Sequence, residues 1–237
     1  MLLKGSFLLR KKVYQMNKKI LHTIVSSLPS GVRLVAVSKF HPKEEILEAY
    51  NEGQRIFGEN HVQEMVNKYM ELPKDIEWHF IGHLQTNKVA KITPFVSMIH
   101  SVDSEKLLSE INKHATKSNR IISCLLQLHV AKEQTKFGFT IEECTHFLES
   151  EKWKEFKNIH ISGLMCMATN TNDAPTIKEE FHKAHETFRF FKDTFFHDDD
   201  NFCECSWGMS NDYPIALTEG STLIRIGTKI FGERNYK

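Results

Sequence analysis

The chain has 237 residues, of which 26% are charged and 41% hydrophobic, and its 31 basic and 30 acidic side chains leave a formal charge of +1. A near-neutral chain of ordinary apolar content is neither a disordered acidic tail nor a basic nucleic-acid-binding protein. No run of about 18 uncharged apolar residues occurs, which excludes a membrane span. The length fits one large domain or two small ones.

The N-terminal residues and the cysteines bear on the cellular compartment. Residues 1–15 hold two short apolar runs separated by basic residues, which are too interrupted for a signal peptide. We predict a flexible tail there, ahead of a domain over residues 16–237, with Met16 as an alternative start. The cysteine count is odd and the spacing fits no disulfide framework, which predicts a reducing, cytoplasmic environment. Cys203 and Cys205 form a C-x-C pair, for which a zinc site is one interpretation and two small apolar thiols in a strand are the other. No second Cys/His pair lies nearby at zinc-ligand spacing, so we favour the strand thiols.

Short β-branched apolar runs alternate with longer amphipathic segments along the chain. They predict eight strands, at residues 33–39, 55–60, 77–82, 96–103, 121–130, 159–167, 203–209 and 222–228. Several of these runs are apolar nearly throughout, which is typical of parallel strands covered on both faces.

The segments between the strands carry helix signals. Pro42 at a first-turn position and Gly53 bound one helix, and Thr140 with Glu143 forms a capping box before another. From Pro175, apolar residues recur every three or four positions and predict one long helix with a buried face, made of Ile177, Phe181, Ala184, Phe188, Phe191 and Phe195. The acidic run at 197–200 is predicted to be a solvated loop and not a metal site.

Eight strands with intervening helices predict a single (β/α)8 TIM-type barrel, a fold of about 250 residues whose working residues lie at the carboxyl ends of the strands. This chain is slightly shorter, so its loops must be short. A doubly wound open sheet is the alternative, and it is disfavoured because no glycine-rich dinucleotide fingerprint follows the first strand.

Lys39 ends the first predicted strand. A lysine that leaves a strand usually points into solvent. The alternative is an amine desolvated at a barrel mouth, where its pKa falls and it can form a Schiff base with a carbonyl. Strand alternation puts Lys39 on the same face as Val35 and Val37, which adds support to the second interpretation.

The ends of the last two predicted strands are candidates for a phosphate site. Gly227 removes a side chain where a ligand would approach, Thr228 adds a hydroxyl beside backbone N–H groups, and Ser210 follows the seventh strand. Two ordinary turns are the equally weighted alternative. Arg225 shares the face of Gly227, and an arginine inside a barrel must face a ligand acceptor or form an ion pair, for example with Glu59.

His79 and His83 are four residues apart, a spacing that suggests a metal site on a helix. Because a strand is predicted to end near Gly82, the two side chains are not expected to share a face. We interpret both as satisfied polar or stacking side chains, and Met165 and Met167 as packing residues.

Seven motifs resemble the pyridoxal-phosphate homeostasis proteins, the single-domain relatives of alanine racemase. In chain order, from about Leu34 to Tyr236, they are LVAVSKFHP, FGENHVQE, WHFIGHLQTNK, QTKFGF, GLMCMA, WGMSNDY and GSTLIRIGTKIFGER. The resemblance implies a barrel like the N-terminal domain of alanine racemase, with pyridoxal 5′-phosphate as cofactor.

The resemblance also implies roles for single residues. Lys39 stands at the Schiff-base position, and Arg225 at the position that faces the pyridine nitrogen. The implied phosphate-holding positions are Ser210, Gly227 and Thr228, and the implied pocket residues are Asn60, His79 and Met165. Trp207 and His129 depart from the family pattern, and we expect both near the pocket wall.

A cofactor carrier is the predicted function. Pyridoxal-phosphate enzymes delocalise a carbanion into the ring, and a permanently charged Arg225 at the ring nitrogen disfavours the protonation that strengthens this electron sink. Alanine racemase works with such an arginine, but it has a second domain that lends a catalytic tyrosine, and this chain is expected to lack one because it ends soon after Thr228. The predicted protein is a monomer or weak homodimer that binds and releases the cofactor, with pyridoxal-phosphate-dependent apoenzymes as recipients.

Two alternatives stay open. One is a slow pyridoxal-phosphate-dependent amino-acid racemase, which requires a second proton-transfer group opposite Lys39. The other is a barrel that binds a different phosphorylated metabolite without covalent chemistry.

Overall fold

Eight parallel strands form a closed barrel in which each strand pairs with the next and β1 pairs with β8. The computed structural model describes residues 16–132 and 137–233, so the predicted tail at 1–15 lies outside the described residues. The strands are β1 Arg33–Val37, β2 Ile56–Glu59, β3 Glu77–Phe80, β4 Met98–Val102, β5 Ile122–Gln127, β6 Ile159–Met165, β7 Glu204–Met209 and β8 Leu223–Ile226. The predicted barrel is confirmed, and the open sheet is excluded because β1 and β8 are hydrogen-bonded to each other.

Helices precede, connect and follow the strands. They are α1 Lys18–Ser27, α2 Lys43–Asn51, α3 Val62–Glu71, α4 Val89–Ile92, α5 Glu105–Lys117, α6 Ile141–Glu149, α7 Ala174–Phe195, α8 Tyr213–Thr218 and α9 Thr228–Phe231. Two 3₁₀ turns, Thr86–Lys88 and Lys152–Glu155, complete the connections. None of the helices in the described part of the chain has the length and apolar content to cross a bilayer.

Each predicted strand contains the observed one, and all except the seventh extend past it at the carboxyl end. The extra residues leave the hydrogen-bonded ladder and enter the loops that follow. Lys39 therefore lies two residues beyond β1, Asn60 one residue beyond β2, and Thr228 begins α9. Loops at the carboxyl ends of barrel strands carry the working residues of this fold, so the shortening moves the candidates toward the mouth.

The predicted helix signals are confirmed at their ends. Pro42 is the N-cap of α2, one residue before the predicted position, and Gly53 has a φ of 97° just after that helix. Thr140 and Glu143 form the predicted capping box of α6. Along α7, Ile177 and Phe181 are among the buried residues of the predicted apolar face.

Side-chain alternation along the strands divides the core into two layers. A small apolar cluster fills the barrel interior and consists of Val35, Ile56, Met98, Leu125, Met165 and Leu223. A much larger cluster lies between the barrel and its helices and includes Phe57, Trp78, Phe181 and Trp207. Residues of β1 and β8 thus face the interior or the helices according to their position in the strand, as the period of two dictates.

Of the two predicted strand thiols, Cys205 lies in β7 and is buried, whereas Cys203 precedes β7 and is exposed. All five cysteines lie in the described part of the chain, none of them is in a disulfide, and Cys203 is exposed whereas the other four are buried. Across residues 16–132 and 137–233 no cluster of His, Cys, Asp and Glu could hold a metal ion. Residues 197–200 lie in turns after α7, as predicted for a loop.

Candidate functional site

The carboxyl ends of β1, β2, β7 and β8 bring most of the predicted site residues to one end of the barrel, here called the mouth. Lys39 and Ser210 are both half-buried there, each in the turn that follows its strand. Asn60 follows β2, and Thr228 is exposed at the start of α9. Parallel strands end at the same edge, so residues far apart in sequence become neighbours in this loop layer.

Gly227 is explained by the closure of the barrel. A Cβ atom at this position would lie 2.8 Å from the carbonyl oxygen of Val37 and 3.2 Å from the Cβ of Val37. The missing side chain thus lets the end of β8 pack on the end of β1. This contact holds the turn of Gly227 and Thr228 beside the strand that leads to Lys39. The approach of a ligand is therefore not needed to explain the glycine, because the packing of β8 on β1 already requires one here.

The turn that contains Ser210 is held by Asp212. The Asp212 carboxylate accepts the backbone N–H of Met209 at 2.5 Å, and the Asp212 N–H donates to the Met209 carbonyl at 3.2 Å. Asp212 is buried. Such aspartate turns fix the backbone locally, so Ser210 has a defined position between Met209 and Asp212.

Arg225 lies inside the barrel and is only 4% exposed. Its guanidinium donates to the carbonyl and hydroxyl of Ser206 at 2.7 and 2.6 Å, and to the carbonyl of Cys166 at 2.9 Å. The suggested ion pair with Glu59 is wrong, because Glu59 points outward from β2 and pairs with Lys68 at 2.7 Å. Three of the five N–H groups of Arg225 are thus used on oxygens of β7 and the residue after β6, and no carboxylate contacts it among the described residues.

The hydroxyl of Ser206 connects Arg225 to two buried histidines. His100 Nδ1 lies 2.9 Å from the Ser206 hydroxyl, and His100 Nε2 lies 2.9 Å from His79 Nδ1. The four side chains form a continuous chain of hydrogen bonds across the barrel interior. We call it the inner network: Arg225, Ser206, His100 and His79.

The inner network has a direction. Arg225 can only donate, so the Ser206 oxygen accepts from it and has its own proton left for His100 Nδ1. His100 then carries its proton on Nε2 and donates it to His79 Nδ1, which leaves the proton of His79 on Nε2. This assignment gives a donor and an acceptor to each of the contacts that the Ser206 hydroxyl, both ring nitrogens of His100 and His79 Nδ1 make.

Burial keeps both histidines of the inner network uncharged. Desolvation lowers the pKa of His79 to about 3, and the charge of Arg33 adds to the effect. Desolvation, assisted by His79 and Arg225, also holds the pKa of His100 well below its ordinary value. The inner network therefore contains one permanent charge and two neutral rings at neutral pH.

Asn60 supplies an unpaired polar atom at the mouth. Its Oδ1 is buried and has no hydrogen-bond partner among the described residues. Gly82 approaches it closely, since a Cβ on that glycine would lie 2.5 Å from the Asn60 carbonyl oxygen and the Asn60 Cβ. An orphaned buried amide is costly unless something pairs with it, so this observation fits a polar ligand at the mouth.

Other sequence expectations have mixed outcomes. Met165 belongs to the interior apolar cluster, in agreement with its interpretation as a packing residue. His83 contacts Asp103 at 3.0 Å and stacks on Phe137, so it does not join His79 at a metal site. Trp207 is not at the pocket wall. It points outward into the helix-facing core, and its indole N–H donates to the Glu219 carbonyl at 3.1 Å. The second departure, His129, is half-buried two residues beyond β5, and its N–H donates to the Phe139 carbonyl at 2.8 Å.

Ser206 and His100 are the interior residues that sequence reasoning missed. The available signal was strand alternation, because both are polar residues within strands that otherwise read as buried. His100 lies two residues after the interior Met98, and Ser206 lies in register with Met165. Reading the polar residues on the interior face of every strand, and not only at strand ends, would have identified both.

A concave surface lies between α7 and the end of α8. It is a groove of about 540 Å³ lined by Pro175, Lys178, Glu179, His182 and Glu219. Glu219 pairs there with His182 at 3.0 Å and with Lys178 at 3.8 Å. The groove contains none of the predicted site residues, and its charged groups already compensate one another.

Comparison with known proteins agrees with this geometry. The family profile described as alanine racemase, N-terminal domain, matches residues 16–235. A relative from Aquifex aeolicus, named pyridoxal phosphate homeostasis protein, is 38% identical over 205 residues, which cover 86% of this chain and 88% of the relative.

Solved structures give the same result. PipY of Synechococcus elongatus is 35% identical, and the match covers 91% of this chain and 99% of PipY, with a TM-score of 0.85 for the form without PLP and 0.82 for the form with PLP bound. An alanine racemase of Clostridium difficile has a TM-score of 0.68 at 13% identity, covering 93% of this chain and 56% of the racemase. That likeness shows the fold alone.

Proposed function

The chain belongs to the family of the alanine racemase N-terminal domain and, within it, to the pyridoxal phosphate homeostasis proteins, and from this premise we propose that it binds pyridoxal 5′-phosphate and acts in vitamin B6 homeostasis. The observation that carries the proposal is the position of Lys39 at the mouth of a barrel whose interior holds a buried arginine.

The residues at the mouth suit the chemistry of this cofactor. Asn60 and Arg225 offer polar groups to the ring, with His79 and Met165 as the floor beneath it. Ser210, Gly227 and Thr228 lie in the turns after β7 and β8, where barrels commonly hold phosphate. The first N–H groups of α9 have no acceptor within the helix, which suits an anionic group there.

Lys39 is the covalent anchor in this proposal. When bound, pyridoxal 5′-phosphate supplies an aldehyde, with which the Lys39 amine forms a Schiff base reversibly as water leaves. The phosphate contacts fix the orientation, so that the covalent bond and the anion site act together. Reversibility lets the protein hold the cofactor and release it to pyridoxal-phosphate-dependent apoenzymes.

The proposed protein carries the cofactor without turnover. Arg225 keeps a permanent positive charge in the barrel, and a guanidinium facing the ring nitrogen disfavours protonation of that nitrogen. The electron sink that amino-acid chemistry needs is then weak. We assign this role to one domain over residues 16–237, acting in the cytoplasm as the odd number of cysteines suggests.

Absorbance and peptide mapping test the anchor. The purified protein is mixed with pyridoxal 5′-phosphate, its visible spectrum is recorded, and the complex is reduced with borohydride and mapped. We expect one labelled peptide, containing Lys39, and loss of the visible band in Lys39→Ala. Lys43→Ala is the matched control, because Lys43 is a nearby exposed lysine that pairs with Glu71. A band that persists in Lys39→Ala contradicts the anchor.

A slow amino-acid racemase is the second candidate, favoured by the likeness of the fold to alanine racemase. It predicts exchange of the α-proton of an amino acid with solvent deuterium in the loaded protein. We expect no exchange above that of the free cofactor. Exchange that depends on Lys39 would replace the carrier by an enzyme.

A further inference from the structure

The backbone on both sides of Lys39 is held by the neighbouring helix α3. The carbonyl of Ser38, which belongs to the peptide bond before Lys39, accepts a hydrogen bond from Lys68 Nζ at 2.7 Å. The N–H of Phe40, which belongs to the peptide bond after Lys39, donates to Glu64 Oε1 at 2.7 Å. Both peptide groups that determine the direction of the Lys39 Cα–Cβ bond are therefore fixed by side chains of α3.

The two side chains on α3 are themselves joined. Lys68 donates to Glu64 Oε1 and to Glu59 Oε1, both at 2.7 Å, so all three of its N–H groups have acceptors. Glu59 is fully buried and also accepts the hydroxyl of Ser38 at 2.6 Å. We call this cluster the outer network: Ser38, Glu59, Glu64 and Lys68.

The turn needs such support because its backbone is strained. Phe40 has a φ of 64°, in the left-handed region that residues with a Cβ rarely adopt. A conformation of this kind persists only where the surroundings impose it, and such positions cluster at functional sites. The hydrogen bond from the Phe40 N–H to Glu64 acts directly on the backbone of this residue, and the Phe40 ring also contacts the ring of His61, with the two centroids 5.1 Å apart.

We propose that Glu64 and Lys68 are positioning residues, which hold the turn of residues 38–40 in one conformation and so fix the direction from which the Lys39 amine reaches the mouth. The inference rests on the proposed function only in assigning Lys39 as the anchor. Neither α3 residue is expected to touch the cofactor.

Substitution of Glu64 tests the proposal in the free protein and in the complex. Glu64→Ala removes the acceptor of the Phe40 N–H, whereas Glu64→Gln keeps an acceptor oxygen at the same place. Glu71→Ala is the matched control, since Glu71 lies on the same helix and pairs with Lys43 without contacting the turn. For each variant, amide hydrogen exchange at Phe40 is measured by NMR without cofactor, and the dissociation constant for pyridoxal 5′-phosphate is measured separately.

The expected results separate positioning from general stability. Glu64→Ala should speed exchange at Phe40 about ten- to hundredfold and weaken cofactor binding, because a hydrogen bond to a charged group is lost. Glu64→Gln should restore both values most of the way, and Glu71→Ala should leave both unchanged. Unchanged exchange at Phe40 in Glu64→Ala, or an equal loss in Glu71→Ala, would overturn the proposal.

The proposed function can fail independently. If Lys39→Ala keeps the visible band while Glu64→Ala speeds exchange at Phe40, the anchor is wrong and the support of the turn stands. If Lys39→Ala loses the band and Glu64→Ala changes neither exchange nor binding, the anchor stands and the positioning role is wrong.

Discussion

The wall of the barrel separates two buried polar networks that compensate charge in different ways. The inner network has one permanent charge, on Arg225, whose guanidinium contacts two carbonyls and the hydroxyl that links it to the neutral histidine rings. The outer network pairs a buried ammonium, on Lys68, with two carboxylates. Both lie within reach of the mouth, but only the outer network contains an ion pair.

The difference in charge compensation determines what each network can do. An arginine without a carboxylate keeps its positive field available to whatever occupies the barrel mouth. The Lys68 ammonium, in contrast, donates all three of its hydrogen bonds within the outer network, so its charge is largely compensated there. Its effect is to hold the backbone turn in place. The inner network thus suits an electrostatic task, and the outer network suits the fixing of a backbone turn.

The largest expected effect breaks the outer network. Lys68→Met leaves Glu59 buried without its cation, so we expect the free energy of unfolding to fall by about 3–5 kcal/mol. Denaturant unfolding measures it. Lys113→Met is the control, because Lys113 pairs with Glu110 at the surface, and it should change little. A similar small effect for both variants would mean that the outer network does not need its cation.

Removing the charge of the inner network should cost less, although Arg225 is more deeply placed. Arg225→Met takes one donor away from the carbonyls of Ser206 and Cys166 and from the Ser206 hydroxyl, although the Ser206 carbonyl still accepts the Cys166 N–H, and no carboxylate is left uncompensated among the described residues. We expect a loss of about 1–3 kcal/mol in denaturant unfolding. A loss larger than that of Lys68→Met would erase the distinction between the networks.

These two networks also mark how far the sequence alone could lead. Strand alternation around Val35 and Val37 and the apolar runs were sufficient for the barrel, because parallel strands buried on both faces have a strong local signature. The contact between His100 and Ser206 joins residues 106 apart, and it crosses the barrel interior between β4 and β7, which are not neighbouring strands. No local pattern encodes such a contact.

Glu59 illustrates the same limit from the other side. The predicted partner of Glu59 is Arg225 on β8. The alternation of side chains along β2 instead turns Glu59 outward, where it pairs with Lys68 on α3. Glu64 and Lys68 have the i, i+4 spacing of an ordinary surface ion pair on a helix. The sequence around them does not indicate that the pair contacts the turn after β1. Supporting residues of this kind are recognised only once the packing of helix on barrel is known.

The pH dependence of stability should have opposite signs in the two networks. Burial lowers the pKa of His79 to about 3 and that of His100 below its ordinary value, so their stabilisation is present above about pH 6.5 and is lost as the pH falls from there. Desolvation raises the pKa of Glu59 to about 7, so its contribution is present below its unfolded pKa of about 4.5 and is lost as the pH rises toward 7.

Variants separate the two contributions. Between pH 6.5 and 5, His100→Gln should reduce the acid-induced loss of unfolding free energy by up to about 1.4 kcal/mol per pH unit. Glu59→Gln should make the same loss steeper. Unfolding free energies measured across this range in the three proteins give the slopes, and parallel slopes would contradict neutral histidines in the native interior.

The smallest expected effect concerns the direction of the inner network. Ser206→Ala removes the donor to His100 Nδ1, while Arg225 keeps its bonds to the carbonyls of Ser206 and Cys166. We expect a loss of about 1 kcal/mol in unfolding free energy, typical of one hydrogen bond. Nitrogen chemical shifts of the ring nitrogens report the tautomers directly. In the wild-type protein both histidines should carry the proton on Nε2, and in Ser206→Ala this preference should weaken first at His100, because His100 is the ring that the hydroxyl fixes. A proton on Nδ1 of His100 in the wild-type protein would reverse the chain, and Arg225 would then no longer set its direction.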